Sequence, residues 1–353
     1  MQRSPLQNRV PRGSPGPTWI LPVFLPHLGC PHRCVYCNQF LMNRNEAPLP
    51  PAEIRRRLED LLACRKNDRG RRRQIAFFGG NFTGIEAGLQ SAYLEAARDF
   101  LDRGRVDSLR VSTRPDGISP ERLSFLAGRG VETVEIGVQS LCDRVLQESR
   151  RGYTARQAVE AILAVKRAGL EAGAQIMVGL PGDTGASSMA TVERLGEVRP
   201  DFVRIYPLMV FRDTELARWT EDGRYQPWEL EAAVSLCSRM LEKLEEASIP
   251  VARIGLHLEE WTSGPGESVR AGPGHPAFGF LVRAELFRRR ALAALTSLPA
   301  PGALVRVRVH PRDRPLLSGY RGQNLREICS SIGAGKMRVE EDDRCRRGWV
   351  EWG

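Results

Sequence analysis

Lysine is nearly absent from this chain. Only four of its 52 basic residues are lysine, so arginine abundance is a compositional habit and by itself points to no partner. Long apolar runs are missing too. No stretch approaches the roughly 18 residues that a membrane-crossing helix needs, and no secretory leader of ordinary shape opens the chain. A cytoplasmic protein with no membrane partner is expected. Five of the eight cysteines, Cys64, Cys142, Cys237, Cys329 and Cys345, are scattered without C-x2-C spacing. They read as reduced core or surface thiols and offer no ligand set for a second metal cluster. No internal repeat stands out beyond an alternation of short apolar runs with helical patterns.

That alternation is what the chain does have. Residues 1–18, rich in Arg, Pro, Gly and Ser, read as a disordered lead-in. Strands are predicted over residues 22–28, 74–80, 108–114, 133–139, 173–179, 202–207 and 251–257. Helices are predicted near 51–66, 87–103, 119–129, 154–168, 186–197 and 228–247. In the last of these Ala233, Leu236, Met240, Leu244 and Ala247 recur at 3–4 spacing and form one apolar stripe. Repeated strand–helix units predict an α/β fold, a full or partial (β/α) barrel over residues 19–280 with its site at the C-terminal ends of the strands. Residues 258–279, rich in Gly and Pro, are expected to be a long loop. A helix near 279–296 follows. Pro299, Pro301 and Gly302 then lead into a small α+β unit, which completes a basic C-terminal domain over 281–353.

Charge divides the same way. Residues 1–20 hold three arginines and no acid, residues 21–280 hold 34 basic and 34 acidic residues, and residues 281–353 hold 15 basic and 8 acidic. The surplus therefore lies at the ends and suits an anionic partner such as RNA.

The densest chemical signal is Gly29-Cys30-Pro31-His32-Arg33-Cys34-Val35-Tyr36-Cys37. Three thiolates spaced C-x3-C-x2-C can hold three irons of a [4Fe–4S] cube and leave the fourth open to a small ligand. Zinc held by the three cysteines with His27 or His32 is an alternative. A lipoprotein-type signal over Trp19 to Cys30 is a poorer one, since its apolar run is short and broken by Pro22 and Pro26.

Further motifs fall at predicted strand ends. Phe77-Phe78-Gly79-Gly80-Asn81 follows the second strand, where glycines let a ligand approach the backbone. Ser112-Thr113-Arg114-Pro115-Asp116 ends the third, and Glu135-Ile136-Gly137-Val138-Gln139-Ser140 ends the fourth. A glutamate inside a buried parallel strand needs a partner or a cavity. The bland reading is an ion pair with an arginine such as Arg114. Gly179-Leu180-Pro181-Gly182 ends the fifth strand, and alone is only a Pro-Gly turn.

Taken in order, these motifs resemble the radical S-adenosylmethionine (SAM) superfamily. Ser112–Asp116 and Glu135–Ser140 look like the Elongator catalytic subunit and its bacterial relatives, over roughly residues 20–280. The resemblance implies a radical SAM enzyme with a [4Fe–4S] cluster on Cys30, Cys34 and Cys37. SAM would be contacted by Tyr36, Gly79, Gly80, Asn81, Ser112, Arg114, Glu135, Gln139, Gly179 and Leu180. It further implies a one-electron donor of flavodoxin or ferredoxin type and modification of transfer RNA. No residue is assigned as a catalytic acid or base, and Tyr206 is a candidate to face substrate or to pack. Three departures stand out. Asn81 occupies a place where the family often has an acidic residue, the Elongator subunit has a wider gap between its first two cluster cysteines, and the segment after residue 280 is too short for the Elongator acetyltransferase domain. The cysteine spacing also fits an oxygen-independent coproporphyrinogen oxidase or another small-molecule radical enzyme. A zinc-stabilised RNA-binding adaptor is the non-enzymatic reading.

The C-terminal unit adds its own pattern. Leu304 to Val309 alternates like a strand, Gly319-Tyr320-Arg321-Gly322 precedes a helix from Gln323 to Ile332, and strands follow at Met337 and Gly348 onward. Strand–helix–GxxG–helix–strand is the layout of a KH domain, whose GxxG loop clamps a nucleic-acid backbone. Gly319, Tyr320, Arg321 and Gly322 are the candidate nucleic-acid contacts. A basic cap on the barrel is the alternative.

Overall fold

The seven predicted strands form one parallel sheet whose two faces differ in kind. The computed structural model describes residues 18–42, 47–64, 71–256, 268–295 and 304–352. Residues 1–17 of the lead-in expected over 1–18, and the punctuation at Pro299, Pro301 and Gly302, lie outside the described residues. Along the chain run β1 (Trp19–Leu25), β2 (Arg73–Gly79), β3 (Ser108–Thr113), β4 (Val131–Gln139), β5 (Glu171–Val178), β6 (Phe202–Pro207), β7 (Val210–Phe211) and β8 (Val251–Ile254). The sheet order is β1-β2-β3-β4-β5-β6-β8, parallel throughout and open between β1 and β8 among the described residues. It is a curled half-barrel, the partial form of the expected architecture.

The helices are α1 (Gln39–Met42), α2 (Pro51–Ala63), α3 (Ala87–Asp102), α4 (Pro120–Ala127), α5 (Asp143–Glu148), α6 (Ala155–Arg167), α7 (Gly185–Val198), α8 (Glu215–Glu221) and α9 (Leu230–Glu246). Their starts are written locally. Thr154 and Gln157 form a reciprocal capping box at α6, and Thr184 and Ser187 one at α7. Alternate strand residues pack outward beneath these helices: Leu21 and Val23, Ile75 and Phe77, Val134 and Ile136, Ala174 and Ile176, Val203 and Ile205. Truncating a fully buried member such as Ile136 is expected to cost about 2–5 kcal/mol.

The opposite sheet face carries the other half of each alternation and lines a cavity. Parallel strands buried on both faces read as continuous apolar runs. These read Ser-Leu-Arg-Val-Ser-Thr and Val-Glu-Thr-Val-Glu-Ile-Gly-Val-Gln because one face meets a helix layer and the other a polar interior.

Part of the segment expected to be one long loop is ordered as β9 (Val269–Ala271), which pairs antiparallel with β7. Residues 258–267 of that segment lie outside the described residues. Then α10 (Phe278–Leu295) packs on α9 and β8 on one side, and on α11 (Arg314–Ser318) and α12 (Gln323–Ser331) on the other. The C-terminal sheet holds β10 (Leu304–Val309), β11 (Lys336–Glu341) and β12 (Val350–Trp352) in the order β11-β10-β12. Strands β10 and β11 are parallel, as a strand–helix–helix–strand crossover requires, and β12 is antiparallel. Phe287, Ala291 and Leu295 of α10 share a core with Val307, Val309, Leu317 and Ile328. Among the described residues no helix is long and apolar enough to cross a membrane.

Candidate functional site

The loop after β1 brings Cys30, Cys34 and Cys37 to the edge of a cavity of about 1080 Å³ inside the half-barrel. Glycines permit its close seating on the end of β2. A Cβ on Gly29, whose φ is +72°, would lie 2.2 Å from the Asn81 carbonyl oxygen, and one on Gly80 would lie 2.1 Å from that of Leu28. Instead the Gly80 N–H donates to the Leu25 carbonyl at 2.9 Å, and the Asn81 N–H to that of Leu28 at 2.8 Å. The Asn81 side chain completes the seam. Its Nδ2 donates to the Gly29 carbonyl at 3.0 Å, while its Oδ1 accepts from the Thr113 hydroxyl at 2.7 Å and the Arg114 N–H at 3.1 Å. Asn81 is thus a buried tie between the cysteine loop and β3, set behind the cavity lining.

Both histidines weighed as zinc ligands are held by backbone. The Gln39 N–H donates to His27 Nε2 at 2.8 Å, and His32 Nε2 lies 2.9 Å from the Arg150 carbonyl oxygen. Burial, helped by the charge of Arg33, lowers the His27 pKa to about 4, so its ring is a neutral acceptor. A Cys3His site through His27 would require its bond to Gln39 to break, whereas His32 donates from Nε2 and keeps Nδ1 for a ligand.

The other expected contacts fall on the same cavity or its wall. Tyr36, Gly79, Gly80, Ser112, Arg114, Glu135 and Gln139 line it together with the three cysteines. The Ser112 Oγ is buried with no hydrogen-bond partner among the described residues. Gln139 ends β4 in the left-handed region, with φ +61°. Gly179 and Leu180 stand one layer back. The Gly179 carbonyl accepts from the Tyr225 hydroxyl at 2.6 Å, and Leu180 packs with Tyr36, Val35 and Cys34. Tyr206 also lines the cavity, with the Arg204 guanidinium 5.1 Å from its ring centroid.

Glu135 does meet arginine, but a different pair from the one anticipated. Its carboxylate pairs with Arg110 and accepts from Arg204 Nη1 at 2.8 and 3.1 Å. Arg114 instead forms a two-point contact with Asp116 at 2.9 and 2.8 Å. The strand register explains this. Arg114 sits beyond the end of β3, above the level of Glu135, whereas Arg110 and Arg204 flank that level from β3 and β6.

One residue escaped the sequence reading altogether. Arg151, 7% exposed, donates from Nη1 to Cys34 Sγ at 3.0 Å and to the Tyr36 hydroxyl at 3.1 Å, and from Nε to the Tyr153 hydroxyl at 2.8 Å. Its Nη2 donates to the Gly137 carbonyl at 3.1 Å. Burial alone would lower its pKa, yet Cys34 and the two tyrosines hold it well above the ordinary value. Burial, then the neighbouring Cys34, pushes the Cys30 thiol up, and Cys37 is raised for the same reasons. A fixed cation beside these sulfurs is what favours thiolate in such a place. The available signal was positional: an arginine just ahead of a capping box, on the loop between α5 and α6 that follows the strand carrying Glu135 and Gln139.

The GxxG motif lies where the pattern put it, between α11 and α12, with Gly319 at φ +69°, Gly322 at +74° and Arg321 at +50°. Tyr320 is exposed, stacked under the Arg321 guanidinium at 5.2 Å and edge-on to His275 at 6.0 Å.

Residues 24–195 match the Radical SAM superfamily and residues 200–288 match the Radical SAM C-terminal domain. A tRNA uridine(34) acetyltransferase of Methanocaldococcus jannaschii is 29% identical over 156 residues, covering 43% of this chain and 29% of that protein. The Elongator complex protein 3 of Danio rerio is 34% identical over 139 residues, covering 38% of this chain and 25% of its own length. The chain therefore spans about a quarter to a third of these curated relatives. The solved structure of the archaeal Methanocaldococcus infernus Elp3 with an N-terminus deletion (1-46) superposes with a TM-score of 0.59 at 21% identity, covering 77% of this chain and 63% of that one, a likeness of fold. The ordered strand-end motifs, the half-barrel and the two matched segments agree: this chain belongs to the radical SAM superfamily of enzymes and resembles its Elongator-like members.

Proposed function

We propose that Cys30, Cys34 and Cys37 bind a [4Fe–4S] cluster, and that the enzyme cleaves SAM reductively to modify RNA, with transfer RNA as the leading substrate. The observation that carries this reading is convergence. The three cysteines border the same cavity as Gly79, Gly80, Ser112, Arg114 and Gln139. The donor set fits the cluster, with three thiols from one loop and the buried Arg151 offsetting the negative charge that thiolate ligation brings. A cluster held by Cys30, Cys34 and Cys37 would supply the one-electron chemistry for reductive cleavage of SAM. The protein's own part is placement. Gly79 and Gly80 admit close backbone approach, the unpartnered Ser112 Oγ offers a hydrogen bond, and Tyr36 backed by Leu180 gives an apolar wall for a base. Enclosure keeps water away from the reacting atoms.

The RNA assignment is supported by the tRNA-acting relatives, by the basic C-terminal unit and by its GxxG loop. RNA held this way loses affinity steeply with salt, whereas a porphyrin or other small-molecule substrate does not. The reaction belongs in the cytoplasm, with a flavodoxin- or ferredoxin-type donor.

Anaerobic reconstitution with iron and sulfide, then SAM and dithionite, tests the core of the proposal. A brown protein that forms 5′-deoxyadenosine, and a Cys34→Ala variant that forms none, are expected. Retained cleavage in Cys34→Ala sinks the assignment. A colourless zinc protein without cleavage moves the case to the RNA-binding adaptor.

A further inference from the structure

The cavity does not end at the cysteines. It runs down the half-barrel past Ser112 and Glu135 to Arg110, Glu171, Arg204 and Arg253. Its volume of about 1080 Å³ lies just above the range of roughly 300–1,000 Å³ usual for a single ligand site. A cofactor at the cysteine end leaves the lower part free.

That lower part carries more positive than negative charge. Arg110, 8% exposed, has its guanidinium 4.6 Å from the Phe202 ring centroid and 5.5 Å from that of Phe78. Its Nη2 meets the Glu135 carboxylate as an ion pair without a well-directed hydrogen bond, and its Nε is buried with no partner among the described residues. Glu135, 2% exposed, is already shared with Arg204. Arg253 faces the same space, its Nε donating to the Gly255 carbonyl at 3.0 Å. Two further carboxylates line this level: Glu171 accepts from the Thr133 hydroxyl at 2.5 Å, and Asp201 from the Ala172 N–H at 2.7 Å. Thr133 in turn accepts from Gln74 at 3.0 Å, so the floor's other polar groups satisfy one another. With Arg72 counted, four guanidiniums face three carboxylates, and burial together with repulsion from Arg204 outweighs the pull of Tyr206 and Glu171 and lowers the Arg110 pKa to about 9. An uncompensated buried cation is costly unless an anion joins it.

We propose that Arg110, Arg204 and Arg253 form an anion site in the lower barrel that binds a carboxylate or phosphate group of the molecule attacked by the radical. The site stands on its own geometry; that its occupant is the substrate rests on the radical SAM reading. Two sources share this chemistry, the carboxylate of SAM itself and an anionic group of the substrate. Arg110 is four residues before Arg114 on its strand, about 13 Å at roughly 3.3 Å per residue, while Arg114 is near enough to Cys30 to act on its thiol. The site is therefore displaced from the cysteine end, where SAM binds in the radical reading, and this favours the substrate.

The test is calorimetric titration of the full chain, reconstituted and as isolated, with inorganic phosphate and with acetate. Saturable binding of one of them is expected. It should weaken at least about tenfold in Arg110→Gln and strengthen about threefold or more in Glu135→Gln, which frees both guanidiniums. If Arg110→Gln does not fold, Arg253→Gln carries the same expectation beside Glu135→Gln. Binding of neither anion, or binding unchanged in the variants, overturns the site. Displacement of the bound anion by SAM overturns its assignment to substrate; simultaneous binding supports it. Measuring 5′-deoxyadenosine on the same protein separates the two levels. Anion binding without cleavage removes the radical reading alone, and cleavage without anion binding removes the anion site alone.

Discussion

The half-barrel and the C-terminal unit are both rich in arginine but use it in opposite ways. In the barrel Arg110 and Arg151 are 8% and 7% exposed, stacked on aromatic rings or bonded to sulfur, hydroxyl and backbone oxygen. In the C-terminal unit Tyr320, Trp349 and Trp352 are 47%, 42% and 44% exposed, and arginines lie over two of them, Tyr320 and Trp349, at the surface. A buried guanidinium acts as a fixed charge in a low-dielectric space. A surface one, screened by salt, can meet a polyanion and release counterions. The same residue type thus suits chemistry in one region and adhesion in the other.

The sharpest way to break this contrast is at Arg151. Arg151→Met removes the cation beside Cys34 while filling similar space and takes one donor from each of two tyrosine hydroxyls, while the Gly137 carbonyl keeps the Tyr153 hydroxyl. The expected outcome is at least tenfold less iron retained after gel filtration, with about 1–3 kcal/mol lost in chemical unfolding; full retention would make Arg151 merely a packing residue. Gly80→Ala places a methyl on the Leu28 carbonyl and is expected to cost about 1–3 kcal/mol. It should also weaken cluster retention by unseating the cysteine loop, with no change in RNA affinity. On the other side of the comparison, Arg321→Ala is expected to lower transfer RNA affinity by about three- to tenfold, and to flatten the slope of log affinity against log salt by about one. An unaltered slope would assign the GxxG loop to packing alone. Titration of His27 adds a dependence on pH. Its pKa is about 4 in the fold against 6.5 ordinarily, so the unfolded chain binds more protons between those values. His27 therefore contributes stability that is complete above about pH 6.5 and is lost as pH falls towards 4. A His27→Gln variant should flatten the unfolding midpoint across that window.

Much of this organisation was legible in the sequence, because strand ends and turns are local. The parallel strands fall within a few residues of the predicted runs, and Cys30, Cys34, Cys37, Gly79, Gly80 and Ser112 gather at one cavity. The GxxG loop lies between two helices as its flanks predicted. What escaped was pairing. Asn81 satisfies the cysteine loop and β3 at once, a role set by two contacts from distant parts of the chain. Glu135 chose Arg110 and Arg204 over Arg114 because register, invisible in one sequence, decides which side chains share a level of the barrel. The short α5, α8 and the β7–β9 pair were missed for a different reason. Elements of two to seven residues carry too little periodicity to stand out.

Helix α10 has one more consequence. It supplies side chains to the barrel's core through Phe278, Val282 and Leu286, and to the C-terminal core through Phe287, Ala291 and Leu295. A helix with a foot in each core couples their melting. Loss of either core strips one end of α10 of its apolar cover, so heat or denaturant should unfold the two regions in a single cooperative transition. The C-terminal unit cannot be exchanged between proteins as a cassette without redesigning one flank of the barrel as well.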